Sequence, residues 1–188
     1  MSAPAVIETP RLRLRDFRED ERARFAELVG DAEVGAWLGG ALTREAADAA
    51  FDRARAAIAD RGYGLWAVER RADGALIGQI GLNLSPDDLP VAPSVEMSWR
   101  VFPEVWGQGY ASEGAAAALA WGLAHLPADL PIIAFTTPGN LRSQAVMRKI
   151  GLTRDPARDF EHPRLPPGHP LRAHILFVAP SRDRERQP

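Results

Sequence analysis

One run carries the clearest chemical content: Val105-Trp106-Gly107-Gln108-Gly109-Tyr110-Ala111-Ser112-Glu113. A strand ends before it, glycines bend the backbone, and an Ala-rich helical segment follows. The first N–H groups of a helix have no internal partner, and the helix dipole places partial positive charge there. Glycines remove the side chains that would hold an anion at a distance. The run is therefore suited to holding a pyrophosphate through backbone amides, with no basic side chain required. The same spacing also suits a tight strand-to-helix turn that binds nothing. Upstream, Glu96 stands mid-strand, where a carboxylate can serve as a base or simply face water. Downstream, Asn140 and Ser143 open another helix, where Asn suits the cap and Ser the first turn. Three of the four histidines, His162, His169 and His174, fall among Pro163, Pro166, Pro167 and Pro170. Three neutral imidazoles can hold zinc, but these gaps match no zinc signature and no metal is expected.

Composition narrows the classes. The 188 residues contain no cysteine, which removes thiol nucleophiles, disulfides and thiolate metal sites. Lys plus Arg number 23 and Asp plus Glu 25, a net charge of −2, so no nucleic-acid partner is expected. No apolar run approaches the roughly 18 residues of a membrane span, so no membrane partner is expected either. The N-terminus shows no basic segment followed by an apolar one, and the expected location is cytoplasmic. The length fits one domain over residues 1–180, with 181–188 as a frayed tail.

These residues need elements to position them. Arg11-Leu12-Arg13-Leu14-Arg15 alternates and predicts a strand. Residues 20–29 predict a helix. Thr43 caps a second one, with Glu45 in its first turn and Gly62 at its end. Residues 64–70 and 75–84 predict strands joined at Asp73-Gly74. In the strand 94–101, Val95, Met97, Trp99 and Val101 share one face, and Glu96, Ser98 and Arg100 the other. A helix over 111–125, a strand over 131–137, a helix over 141–150 and a strand over 171–178 complete the pattern. Residues 155–172 resist assignment. The order β-α-α-β-β-β-α-β-α-β predicts an α/β fold with a mixed sheet and helices on its faces. Trp37, Phe51, Tyr63 and Trp66 fit either the core or an acceptor pocket.

Nucleotide motifs discriminate further. A Rossmann fingerprint would need glycine at Ser112, and no Walker A loop is present. From Trp106 to Ala111 the run instead resembles the acetyl-CoA loop of the GNAT acetyltransferases, Q/R-x-x-G-x-G/A, through Gly109 and Ala111. Asn140-Leu141-Arg142-Ser143 and Met147-Arg148-Lys149-Ile150-Gly151-Leu152 are similar to the family's N-x-x-S/A…K-x-G-F segment. Glu8-Thr9-Pro10-Arg11-Leu12-Arg13-Leu14-Arg15 and Trp37-Leu38-Gly39-Gly40…Thr43-Arg44-Glu45-Ala46 resemble the branch with the ribosomal-protein N-terminal acetyltransferases. The likeness covers roughly residues 8–154.

The resemblance implies a mostly antiparallel central sheet and acetyl transfer from acetyl-CoA to an amine. The acceptor would be a protein N-terminus or a small molecule such as an antibiotic, polyamine or amino acid. It assigns Glu96 as the base. It places Val101 and Phe102 beside the pantetheine arm, with Asn140 as a further contact, and Gly107, Gln108, Gly109, Tyr110 and Ala111 around the pyrophosphate. Met147 stands where many relatives carry the tyrosine that protonates the leaving thiolate. Ser143, one turn earlier, is the candidate in its place. The histidine-rich stretch would lie near the acceptor cleft, where substrate contact and loop packing are both open. The missing tyrosine keeps a non-catalytic acyl-CoA-binding module as the alternative. Assembly as a homodimer is compatible with either.

Overall fold

The computed structural model describes residues 5–181. Its strands are β1 (Ile7–Glu8), β2 (Leu12–Arg15), β3 (Leu65–Arg70), β4 (Ala75–Leu84), β5 (Val95–Val101), β6 (Ile132–Thr136), β7 (Thr153–Arg154), β8 (Phe160–Glu161) and β9 (Ala173–Val178). The helices are α1 (Arg22–Gly30), α2 (Ala32–Gly35), α3 (Arg44–Arg61), α4 (Tyr110–His125) and α5 (Leu141–Lys149). The sheet order is β1-β2-β3-β4-β5-β6-β9-β7, with β8 on β9. All pairings are antiparallel except β5–β6. The expected mixed, mostly antiparallel sheet is therefore present. The short elements β1, α2, β7 and β8 add to what the sequence pattern predicts. Among the described residues no helix is long and apolar enough to cross a membrane.

Local chemistry explains the long elements. The Thr43 hydroxyl accepts from Ala46 N–H at the start of α3, and Gly62 ends that helix at φ 78°. Gly74 takes φ 72° in the β3–β4 turn. Alternation then buries both faces of the sheet. Leu12, Leu14, Trp66, Ile80, Leu82, Val95 and Met97 share a core with Ala115, Ala118 and Leu119 of α4. Phe17, Phe25 and Phe51 meet edge-on or tilted, 5.2–5.5 Å apart, and join α1 and α3 to Ala67 and Leu76. Phe51 and Trp66 are thus core residues, while Trp37 is 40% exposed.

A buried ion cluster fastens the second strand. Arg15 Nη2 lies 2.6 Å from Glu21 and 2.8 Å from Glu69, and all three side chains are largely buried. Burial alone would raise the Glu21 pKa, but hydrogen bonds from the Arg15 side chain and the Arg18 backbone hold it below the usual carboxylate value. Breaking a buried pair strands the remaining charge at a cost of about 3–5 kcal/mol. Arg18 also reaches both carboxylates, so the lower end applies. Arg15→Met is expected to lower stability by about 3 kcal/mol in equilibrium denaturation, and Glu21→Gln in that background to restore part of it.

Candidate active site: a strand gap beside a glycine turn

The site is built where β5 and β6 part. Their parallel ladder holds only Val95↔Ile132 and Glu96↔Ile133. β5 stays paired to β4 as far as Val101, and β6 to β9 as far as Thr136. Each strand is thus held on its outer side, and a gap opens between them. Val95 N–H donates to Pro131 O on the β6 side, whereas Phe102 N–H donates to Ile77 O on the β4 side. Alternation along the strand turns the N–H groups of Met97, Trp99 and Val101 to that side; Met97 completes the short ladder on Ile133, and those of Trp99 and Val101 face the gap. Val101 stands at the end of β5, at the edge of the gap. The Phe102 amide does not face the gap: β4 takes its N–H, and its carbonyl accepts from Val105.

The glycine turn closes one end. Gly107 and Gly109 take φ 76° and 82°, and Gly109 caps α4 without any side-chain hydrogen bond. The first intrahelical N–H to find a partner is that of Glu113, on Gly109 O. The earlier amides, from Tyr110 to Ser112, are therefore available to an anion. A Cβ on Gly107 would meet nothing within 4 Å, so the approach is open. This cradle fits a pyrophosphate, and the gap fits an extended arm. Gln108 turns its side chain away, donating to Glu104 O, and Tyr110 lies under the Arg11 guanidinium at 4.4 Å.

Two residues of the opening run support the turn, a role their spacing does not signal. Arg11 donates to Glu113 and to Gln108 O, while the Thr9 hydroxyl donates to the same carboxylate. The β1–β2 corner thus braces the turn from 97 to 104 residues away. Trp106 departs from the usual polar residue of the loop. Its indole N–H donates to Val101 O at 2.8 Å, tying the turn to the end of β5, and Arg142 covers its ring at 4.5 Å.

Glu96 sits at the vertex of the gap, partly buried, and its carboxylate makes no hydrogen bond to the described residues. Burial pushes its pKa up to about 7, with Arg100 and Arg164 opposing. Asn140 caps α5: its Oδ1 accepts from Ser143 N–H and its amide donates to Thr136 Oγ1. The cap expected of it is present. Ser143 is half-buried and its hydroxyl makes no hydrogen bond to the described residues, whereas Met147 is 1% exposed in the core. Thr137 Oγ1, just past β6, is buried and unpartnered.

On the face that bears Glu96, His162 and His174 lie 5.2 Å apart beside Phe160 and Phe135. Burial holds His174 below the ordinary histidine range. Burial, then His174 and Arg164, do the same for His162. Among the described residues no group of three His, Asp or Glu could hold a metal ion. His169 accepts from Leu171 N–H within its loop.

Comparison with known proteins decides the family. The model of the acetyltransferase (GNAT) domain matches residues 11–153. The chain belongs to this family. YkkB of Bacillus subtilis is 30% identical over 159 residues, covering 81% of this chain and 87% of that protein. YnaD of the same organism, described as an N-acetyltransferase, is 30% identical over 150 residues, covering 79% and 83%. A GNAT-family acetyltransferase from Bacillus anthracis superposes with a TM-score of 0.75 at 25% identity, covering 93% of this chain and 97% of that one. RimL, a ribosomal L7/L12 α-N-protein acetyltransferase solved with coenzyme A, shares the fold at a TM-score of 0.71 and 16% identity, covering 93% and 97%. Acetyl-CoA is the co-substrate of the GNAT family.

The turn gives a direct test. Gly109→Val would force a β-branched residue into the left-handed region and place its side chain against Arg11 Nη2, 3.5 Å from the Cβ position. Acetyl-CoA binding by calorimetry is expected to fall at least about tenfold, 1.4 kcal/mol, with far-UV dichroism unchanged.

Proposed function

We propose that this GNAT protein is an N-acetyltransferase, one domain over residues 1–180, that acetylates a primary amine by direct attack in a ternary complex in the cytoplasm. The supporting observation is the pairing of Glu96 with the gap. A carboxylate whose pKa stands near 7 lies at the vertex of a cleft along which the same strand turns the amides of Trp99 and Val101. Acetyl-CoA supplies the thioester. The α4 N-terminus, with Gly107, Gln108, Gly109, Tyr110 and Ala111, holds its pyrophosphate. The Val101 strand end, closed by Phe102, positions the arm, and Asn140 orders the opposite wall.

An ammonium has no lone pair, so the acceptor must lose a proton before it attacks. Glu96 takes that proton, directly or through water, and a base with pKa near 7 is matched to neutral operation. The nitrogen forms its bond to the thioester carbon, and the gap-facing amides stabilise the oxygen that gains charge. The carbon–sulfur bond then breaks, and the nitrogen sheds its second proton to solvent. Solvent returns a proton to the thiolate, and the Ser143 hydroxyl donates a hydrogen bond to it. With no cysteine, a cysteinyl acyl-enzyme is impossible. The opening motifs and the likeness to RimL favour a protein N-terminus as acceptor.

Glu96→Gln is expected to lower kcat about 10²–10⁴-fold at neutral pH with little change in acetyl-CoA affinity. Wild-type kcat/KM should climb as pH rises through about 7, because the base works only when ionised; the variant should lack that step. Wild-type turnover by Glu96→Gln at pH 7 would place the base elsewhere. Ser143→Ala should slow turnover roughly 10- to 150-fold, the worth of one hydrogen bond to a charged group. A drop in Tm at unchanged rate would instead make Ser143 a structural helix residue.

A further inference from the structure

Arg100 stands four residues past Glu96 on the same face of β5, and nothing described so far employs it. Its side chain makes no hydrogen bond, ion pair or ring contact with any described residue. Its side chain lines a cavity of about 80 Å³ between the sheet and the α1–α2 corner. A single water needs about 10–15 Å³ on that measure, so the space admits a group of several heavy atoms. The remaining walls are Val29, Val34, Leu38 and Leu42 with the backbone at Gly40, and Arg100 is the one charged residue among them.

A guanidinium facing a mostly aliphatic wall with no carboxylate on it is a costly arrangement. A charge partly withdrawn from water and left without a partner loses hydration that no ion pair restores. Burial accordingly depresses the Arg100 pKa, with Glu96 offsetting part of the effect. An arginine nonetheless stays charged at neutral pH. Its fork of donors matches a carboxylate or another planar anion.

We propose that the Arg100 cavity is an anion subsite for the acceptor, selecting amines that carry a carboxylate several bonds from the reacting nitrogen. The inference rests on the acetyl-transfer reading, which seats the amine at Glu96. Four strand residues separate the two Cα atoms by about 13 Å, at 3.3 Å per residue. Both side chains project from the same face, so an acceptor bridging them must be extended. A free α-amino acid, with its own carboxylate two bonds from its amine, is too short. A peptide whose second or third residue is acidic is long enough, as is a small ω-amino acid. These share one recognition chemistry.

The test measures equilibrium binding to the CoA-saturated protein. Two probe pairs are used: Ala-Glu-Ala-Ala amide against Ala-Gln-Ala-Ala amide, and 6-aminohexanoate against its amide. In the wild type the charged member of at least one pair should bind roughly tenfold or more tightly, as one charge-assisted hydrogen-bonded contact provides. Preference in the peptide pair points to a protein N-terminus, and preference confined to the aminohexanoate pair to a small acceptor. In Arg100→Gln the preference should collapse, and Arg100→Lys should keep part of it. Removing an unpaired charge should not unfold the protein, and the Tm of Arg100→Gln checks that it has not. Equal binding within both wild-type pairs overturns the proposal, as does a preference that survives Arg100→Gln. CoA release is followed with the same probes. A charge preference in binding without any acetylation would sink the acetyl-transfer reading and leave the anion subsite standing.

Discussion

The structure depends on two parallel strands that must begin together and then part. β5 and β6 share two ladder pairs and separate beyond Glu96. Every feature of the site follows from that separation. It exposes alternate amides of β5, it sets Glu96 at a vertex instead of inside a continuous sheet, and it aims the end of β5 at the glycine turn. The parting is tolerated because each strand is paired on its outer side, β5 to β4 and β6 to β9. It is held in shape at its margins. The Trp106 indole binds the Val101 carbonyl, Arg142 of α5 covers the Trp106 ring, and Trp37 rests 3.2 Å from the Cβ position of Gly139.

What the sequence shows and what it hides divides by range. Thr43, Gly62, Asp73-Gly74, Asn140 and Gly151 act within about one turn of themselves, and each marks an element boundary found in the structure. The glycine turn is legible for the same reason, since its conformation is a property of Gly107 and Gly109. The gap is not legible. Nothing in the alternation of 94–101 or the run 131–137 states how many residues pair across them. The Phe102 assignment suffers from this: one step along the strand reverses the direction in which an amide points. The braces Arg11 and Thr9 act on a turn about a hundred residues away, and their types are ordinary for a strand margin. The short strands β7 and β8 form only because β9 offers them an edge, which no periodicity over two residues can announce. The tail 182–188 lies outside the described residues.

Charge is distributed unevenly between scaffold and cleft. In the scaffold, arginine and carboxylate meet in close pairs: Arg15 with Glu21 and Glu69, Arg11 with Glu113, Arg24 with Glu104, Arg164 with Asp88. The Glu96 and Arg100 side chains make no hydrogen bond or ion pair with the described residues. Each is shifted toward its neutral form chiefly by burial, and each opposes that shift in the other. A protein selected for stability alone would pair or replace them. On the proposed reading both are groups held ready for the acceptor.

The narrow junction between β5 and β6 also has a mechanical meaning. The strands β1–β5 and the group β6, β9, β7 and β8 are two panels, and the backbone seam between them is two residues long. Tension drawing the panels apart would meet seven residue pairs along β4–β5 but only two along this seam. Between the panels this seam is the weak line, with α4 as the splint across it, since its apolar side contacts Leu82 on one panel and Ile132 on the other. An extended chain lodged in the opening would add hydrogen bonds along the tear line. Occupancy of the cleft should therefore stiffen the whole molecule against shear, far beyond the few residues it touches.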